Sequence, residues 1–146
     1  MARLRRLVIH CTATKEGREV TKHDIIRWHI HGNGWSKVGY HDLIHLDGSI
    51  ENLIPYDEDD TVQPWEISNG AAGFNSSSRH VVYAGGCDSN MNPKDTRTPQ
   101  QWAAMQAYVK EFMAKHPDCE VVGHNQLNPR KACPSFDVSL WLKEIL

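Results

Sequence analysis

Apolar residues follow two different periods along this chain, and each period predicts its own element. In Leu4 to His10 the unbroken run Leu7-Val8-Ile9 suits a strand covered on both faces, and His10 closes it. Thr21 offers a helix cap with Asp24 three residues on, an acidic form of the capping box. Ile25, Trp28 and His29 then share a helical face, and Gly32 and Gly34 stop the helix. Tyr40 to Leu46 predicts a second strand, and Asp47-Gly48 a hairpin turn that sends Ser49 to Ile54 back along it. Pro55 to Ser78 has no clear period and is rich in Asp, Asn, Gly and Ser, which reads as loops with room for a short helix.

The second half repeats the alternation. His80 to Ala84 predicts a short strand ending at Gly85-Gly86, and Cys87 to Thr98 a loop. Thr98-Pro99-Gln100-Gln101 starts a helix: threonine caps, proline occupies the first turn and Gln101 completes the box. Its stripe of Trp102, Met105, Val109, Phe112 and Met113 reads as core packing, and Pro117 ends it. Cys119 to Gly123 predicts a strand, and Asp137 caps a last helix bearing Leu140, Trp141 and Ile145. Strands alternating with helices predict an α/β class: a mixed central β-sheet with helices packed on both faces. At 146 residues the chain suits one domain over 1–146.

Composition narrows the function classes. The net charge is −2, and only Arg3, Arg5 and Arg6 cluster, so no nucleic-acid partner is expected. No segment approaches the ~20 apolar residues of a membrane span. The N-terminal MARLRRLVIHC has too short an apolar run for a secretory signal. The expectation is synthesis in the cytoplasm, with release by lysis, a holin-type route or another dedicated path. The four cysteines form no CxxC pair, so disulfides are not implied. The nine histidines matter more, because imidazole both ligates metals and moves protons.

Two of them close strands. Val8 and His10 share one strand face, and Val122 and His124 share another. If those strands are parallel neighbours, both imidazoles emerge at one sheet edge, where α/β folds place ligands. Cys133 returns toward that edge on a loop limited by Pro129 and Pro134. Two imidazoles and a thiolate suit zinc, with the fourth position open as in catalytic sites. The plain alternatives are a buried apolar cysteine and a histidine that only accepts a hydrogen bond. Cys11 faces away from His10 and is a poor ligand candidate; His29 reads as structural, His31 as exposed and His41 as a core or supporting group. Trp35, Trp65 and Phe74 could stack on a sugar, but a small core accounts for such residues without a ligand.

The stretches LVIHCTAT, GWSKVGYHDLIHLDG, GFNSSS with YAGG, TPQQW and GHNQLNPRKACPSFD together resemble the zinc-dependent N-acetylmuramoyl-L-alanine amidases of the amidase-2 type. That family includes short phage lysozymes and shares its fold with peptidoglycan recognition proteins. The likeness spans nearly the whole chain. It implies Zn²⁺ held by His10, His124 and Cys133, with Tyr40 beside the metal and Lys131 in the site. It implies hydrolysis of the amide between N-acetylmuramic acid and L-alanine, with bacterial peptidoglycan as partner and the protein acting as a monomer. The loop Asn69–Gly73 has alanine where relatives often carry histidine, and Arg79 and His80 replace small or aliphatic residues. These departures leave the metal set intact and bear on substrate contacts. Two rival readings are a peptidoglycan-binding module without turnover and a thiol hydrolase with Cys133 as nucleophile and His124 as base. Pro134 would deny that nucleophile a following backbone donor, and His10 and Lys131 would go unexplained.

Overall fold

A computed structural model describes residues 2–146. In chain order the strands are β1 (Ala2–Arg3), β2 (Arg6–Cys11), β3 (Thr14–Lys15), β4 (Asp42–Ile44), β5 (Ile50–Asn52), β6 (Thr61–Val62), β7 (Ser78–Tyr83), β8 (Gly86–Cys87) and β9 (Glu120–Gly123). The helices are α1 (Lys22–Ile26), α2 (Pro99–Lys115), α3 (His124–Leu127) and α4 (Val138–Ile145). The central sheet has the order β5-β4-β7-β2-β9. Four of these strands run parallel, and β5 pairs antiparallel with β4 at the edge. The mixed sheet expected from the alternation is therefore present, with apolar layers on both faces.

Period-two alternation sorts the side chains between those layers. Leu7, Ile9 and Cys11 of β2 join Val81 and Tyr83 of β7 on one face, where Met105, Val109 and Phe112 of α2 and Trp141 of α4 cover them. The other face carries Leu43, Val82 and Ala84 under Val20 and Ile25. Val8 and His10 of β2, and His80 of β7, point to that second face, because each alternates with a residue of the first layer.

The helix starts follow their caps. Thr21 and Asp24 form the reciprocal box, as do Thr98 and Gln101, and Asp137 accepts from the Leu140 N–H. The first helix departs from expectation after Ile26, where Arg27–Gly32 continues it as a π-helix. The wider turn carries His29 inward to Gly39, whose N–H donates to His29 Nδ1 at 2.8 Å. The irregular stretch between β5 and β7 contains short 3₁₀ turns at Pro64–Glu66 and Asn75–Ser77. It also contributes β6, which pairs with β1. The loop expected after Gly86 begins with β8, paired to β3. Among the described residues no helix is long and apolar enough to cross a membrane.

One buried carboxylate ties the sheet to α2. Asp42 Oδ2 accepts from the hydroxyls of Tyr56 and Tyr108, each at 2.6 Å, and its Oδ1 accepts from Asn52 Nδ2 at 2.9 Å. The side chain is 3% exposed, so water does not replace those partners. Asp42→Ala strands two tyrosine hydroxyls and should cost roughly 3 kcal/mol, given ~1–3 kcal/mol per buried group left unsatisfied. Urea unfolding with an unchanged slope and a lower midpoint would show this; an unchanged midpoint would mean the triad holds nothing together.

Candidate metal centre

The parallel register pairs Ile9 with Gly123, so the next residues, His10 and His124, leave the sheet side by side. Their rings meet edge to face with centroids 4.8 Å apart. Gly123 allows the chain to close over them. A Cβ there would lie 2.7 Å from Asn125 Oδ1 and 2.9 Å from both Pro134 Cδ and Val138 Cγ2. The loop from α3 to α4 is held by short bonds: Asn125 N–H to Cys133 O at 2.8 Å, Lys131 N–H to Asn128 O at 3.0 Å, and the Tyr83 hydroxyl to Pro134 O at 2.7 Å. It delivers Cys133 Sγ to 3.6 Å from His10 Nδ1. One donor atom from each of His10, His124 and Cys133 lies within 4.8 Å of the other two, the one such group of His, Cys, Asp or Glu found among the described residues.

Burial sets the protonation of these groups. His10 is 1% exposed, and its pKa is pushed well below the ordinary 6.5, first by burial and then by His124, His29 and His41. His124 is half-buried and is also lowered, by burial and then by the nearby Lys131 charge. Both rings are neutral at neutral pH and keep a lone pair for a cation. The two thiols are linked. The Cys11 N–H donates to Cys133 Sγ at 3.2 Å, and interaction between the two free thiols lowers Cys11 to about 7 and, together with burial, raises Cys133. A coordinated cation would reverse that order, since a ligating thiol is deprotonated outright.

The donors sit in a cleft of about 320 Å³ lined also by Tyr40, Lys131, His29, Trp35 and Asn69. The Tyr40 ring packs at a tilt against His10 and His29, with centroids 5.2 Å and 5.1 Å away. Burial, then Cys133 and Cys11, raise its pKa, so its hydroxyl stays a donor. Lys131 is exposed at the rim. The five residues singled out from sequence thus border one cleft. Of the aromatic candidates, Trp35 lines it, whereas Trp65 lies in a separate apolar groove and Phe74 sits beneath Arg6. His41 is a core group: its Nε2 bonds Glu66 O and its Nδ1 accepts the His80 N–H at 2.9 Å. His80, noted in the sequence only as a departure, reaches His10 Nε2 with its own Nδ1 at 2.8 Å. The signal for it was the shared face of alternate residues in β2 and β7, which becomes readable once their pairing is known.

A parallel sheet that ends in two histidines, met by a cysteine from a returning loop, defines a class that comparison with known proteins identifies. The N-acetylmuramoyl-L-alanine amidase family, amidase-2 type, matches over residues 1–136, and the chain belongs to it. It is 36% identical over 135 residues to the endolysin of Enterobacteria phage K11, covering 92% of this chain and 83% of that protein. Among solved structures, the endolysin of the Thermus scotoductus bacteriophage Ph2119 superposes with a TM-score of 0.76 at 22% identity, covering 99% of this chain and 86% of that one. Bumblebee PGRP-SA superposes with a TM-score of 0.74 at 19% identity, covering 98% and 82%. The fold is thus shared with phage endolysins and peptidoglycan recognition proteins, as the resemblance implied.

The buried imidazoles also set an acid limit on the fold. His10 and His80 are held well below 6.5, and His41 falls to about 4, in each case chiefly through burial. Unfolded imidazoles titrate near 6.5, so below that pH the unfolded chain binds more protons and stability falls as pH falls. His45 acts in the opposite sense: burial lowers it, but bonds to Glu19 and Glu51 raise it overall. His29 and His124 are lowered as well, so five histidines outweigh one. With chelator present throughout, the melting temperature should fall between pH 7 and pH 5 when followed by circular dichroism. A flat profile across that window would contradict the assignment of neutral buried rings.

Proposed function

We propose that this protein hydrolyses the amide between N-acetylmuramic acid and L-alanine in bacterial peptidoglycan, using Zn²⁺ held by His10, His124 and Cys133. The observation that carries this reading is the convergence of those three donors at the floor of the cleft. The spacing suits the ion. A nitrogen and a sulfur about 2.1 and 2.3 Å from one tetrahedral zinc lie about 3.6 Å apart. His10 Nδ1 and Cys133 Sγ are separated by 3.6 Å. Zinc held there would supply Lewis-acid polarisation and lower the pKa of water from 15.7 toward about 7.

The chain's own residues do the rest. The neutral imidazoles hold the centre from the sheet side, where His10 is buried, leaving the cleft side for substrate. Negative charge develops on the carbonyl oxygen as the amide is attacked, and the Lys131 ammonium, which borders the same cleft, is the cation available to stabilise it. The Tyr40 hydroxyl, kept protonated by burial, can donate to the same oxygen or orient the attacking water. Trp35, 37% exposed on the cleft wall, offers an apolar face for the lactyl or sugar portion. A thiol-nucleophile mechanism is disfavoured, because it gives His10 and Lys131 no role and because Pro134, which follows Cys133, has no N–H to donate to an oxyanion. We take residues 1–146 as one catalytic domain, acting as a monomer on the wall after lysis or a dedicated release.

Digestion of purified peptidoglycan should release free N-terminal L-alanine on stem peptides and create no new reducing sugar ends. Chelation should abolish this activity, and added zinc should restore it. Reducing ends without peptide release would instead mark a glycosidase, and turnover in the presence of chelator at zero zinc content would remove the metal from the reaction.

Lys131→Ala should leave zinc content and fold intact and lower kcat roughly 10²–10³-fold, the cost of one donor to a developing oxyanion. Lys131→Arg should recover only part, because a planar fork does not reproduce a compact ammonium. If Lys131→Ala turned over at the parent rate with one zinc bound, its place at the rim would serve only to hold the anionic polymer.

A further inference from the structure

We propose that His80 is a positioning residue for the metal centre: its Nδ1 accepts the Nε2–H of His10 and so fixes which nitrogen of His10 faces His124 and Cys133. This rests on the reading of His10 as a ligand. The two ring nitrogens of His10 look in opposite directions, Nδ1 toward Cys133 Sγ at 3.6 Å and Nε2 toward His80 Nδ1 at 2.8 Å. A neutral imidazole carries one N–H and one bare nitrogen. For the lone pair to lie on Nδ1, the proton must sit on Nε2, and at 1% exposure it has no access to water. It needs a protein acceptor. Metal-bound histidines usually find one in a carboxylate or a backbone carbonyl. Here the atom in that place is an imidazole nitrogen.

The surroundings of His80 hold that nitrogen in place. Its backbone N–H donates to His41 Nδ1, and the two rings lie parallel within 5° at 5.8 Å. His41 is fixed in turn by Glu66 O at its Nε2. On the remaining side the loop passes as Gly70. A Cβ on Gly70 would come 2.4 Å from His80 Nδ1 and 2.6 Å from Gly39 O. A side chain at Gly70 would therefore press on the very atom that receives the His10 proton.

Accepting at Nδ1 leaves the proton of His80 on Nε2, and that nitrogen is buried with no partner among the described residues. An orphaned donor is unfavourable, and an aliphatic residue would fill this strand position without one. Packing alone therefore does not explain a histidine here, whereas its contact with His10 does. A neutral acceptor also orients the ligand without adding negative charge beside the thiolate, as a carboxylate would.

The test measures zinc binding, with amidase activity recorded separately. His80→Leu keeps the apolar bulk and loses the acceptor, so zinc affinity, read by competition with a chromophoric chelator, should weaken about 10–100-fold. The visible spectrum of the Co²⁺-substituted variant should shift with it. His80→Asn places an amide oxygen near the position of Nδ1 and should restore affinity to within a few-fold of the parent. In the unmodified zinc-loaded protein, long-range ¹H–¹⁵N correlations should show His80 Nδ1 bare and the His10 proton on Nε2. Parent-like zinc affinity in folded His80→Leu would overturn the proposal, as would a proton on His80 Nδ1; if His80→Leu does not fold, the spectrum of the unmodified chain decides. Absence of zinc binding by the unmodified protein would overturn the metal reading itself, and this inference with it.

Discussion

Everything in the cleft depends on the register of β2 between two parallel neighbours. Pairing Ile9 with Gly123 sets His10 beside His124, and pairing Val8 with His80 sets that ring diagonally behind His10 on the same sheet face. A slip of one residue would turn His10 into the α2 layer and bring Ile9 out in its place, because side chains alternate with a period of two. The register is enforced by the apolar residues that alternate with Val8 and His10 along β2. Leu7 and Ile9 are both fully buried against α2 and α4, so the site inherits its geometry from packing on the opposite face of the sheet.

The burial that positions these groups also tunes them. Rings placed on a covered face lose water and stay neutral, which suits a ligand and also limits the fold in acid. The same economy of space is visible at Gly70 and Gly123, where close approach of backbone to side chain leaves no volume for a Cβ. Such positions join the site to the fold. The loop that carries Cys133 is tied to the end of β7 by the Tyr83 hydroxyl, and the loop that covers His80 is tied through Ser68 and Asn69 to the segment before β4.

Local signals were legible where the responsible interaction is itself local. Thr21 with Asp24, Thr98 with Gln101 and Asp137 with Leu140 each satisfy a backbone donor within three residues, and each marked a helix start correctly. The Asp47-Gly48 turn was readable for the same reason, with Gly48 at φ 87° and the flanking strands paired as expected. The π-helical stretch was not, because Arg27–Gly32 widens to meet Gly39, a partner outside the helix. Nor were the small pairings of β1 with β6 and β3 with β8, whose strands are too short to show a period. The three metal-directed donors could be proposed from strand ends and the family resemblance. The partner of His10 required knowing which strand lies beside β2.

The donors that meet at the floor of the cleft come from opposite ends of the chain. Cys133 and His10 are separated by 123 positions, with nearly all of the fold strung between them. During synthesis the first strand leaves the ribosome long before its companions exist, and the central sheet remains incomplete until β9 emerges. The cleft is therefore one of the last features the growing chain can assemble. An ion gripped by all three donors would close a loop of almost the whole polypeptide, the kind of crosslink that removes the most freedom from an unfolded chain. Bound there, it would fasten β2 to the loop after α3 by the same act that completes the site.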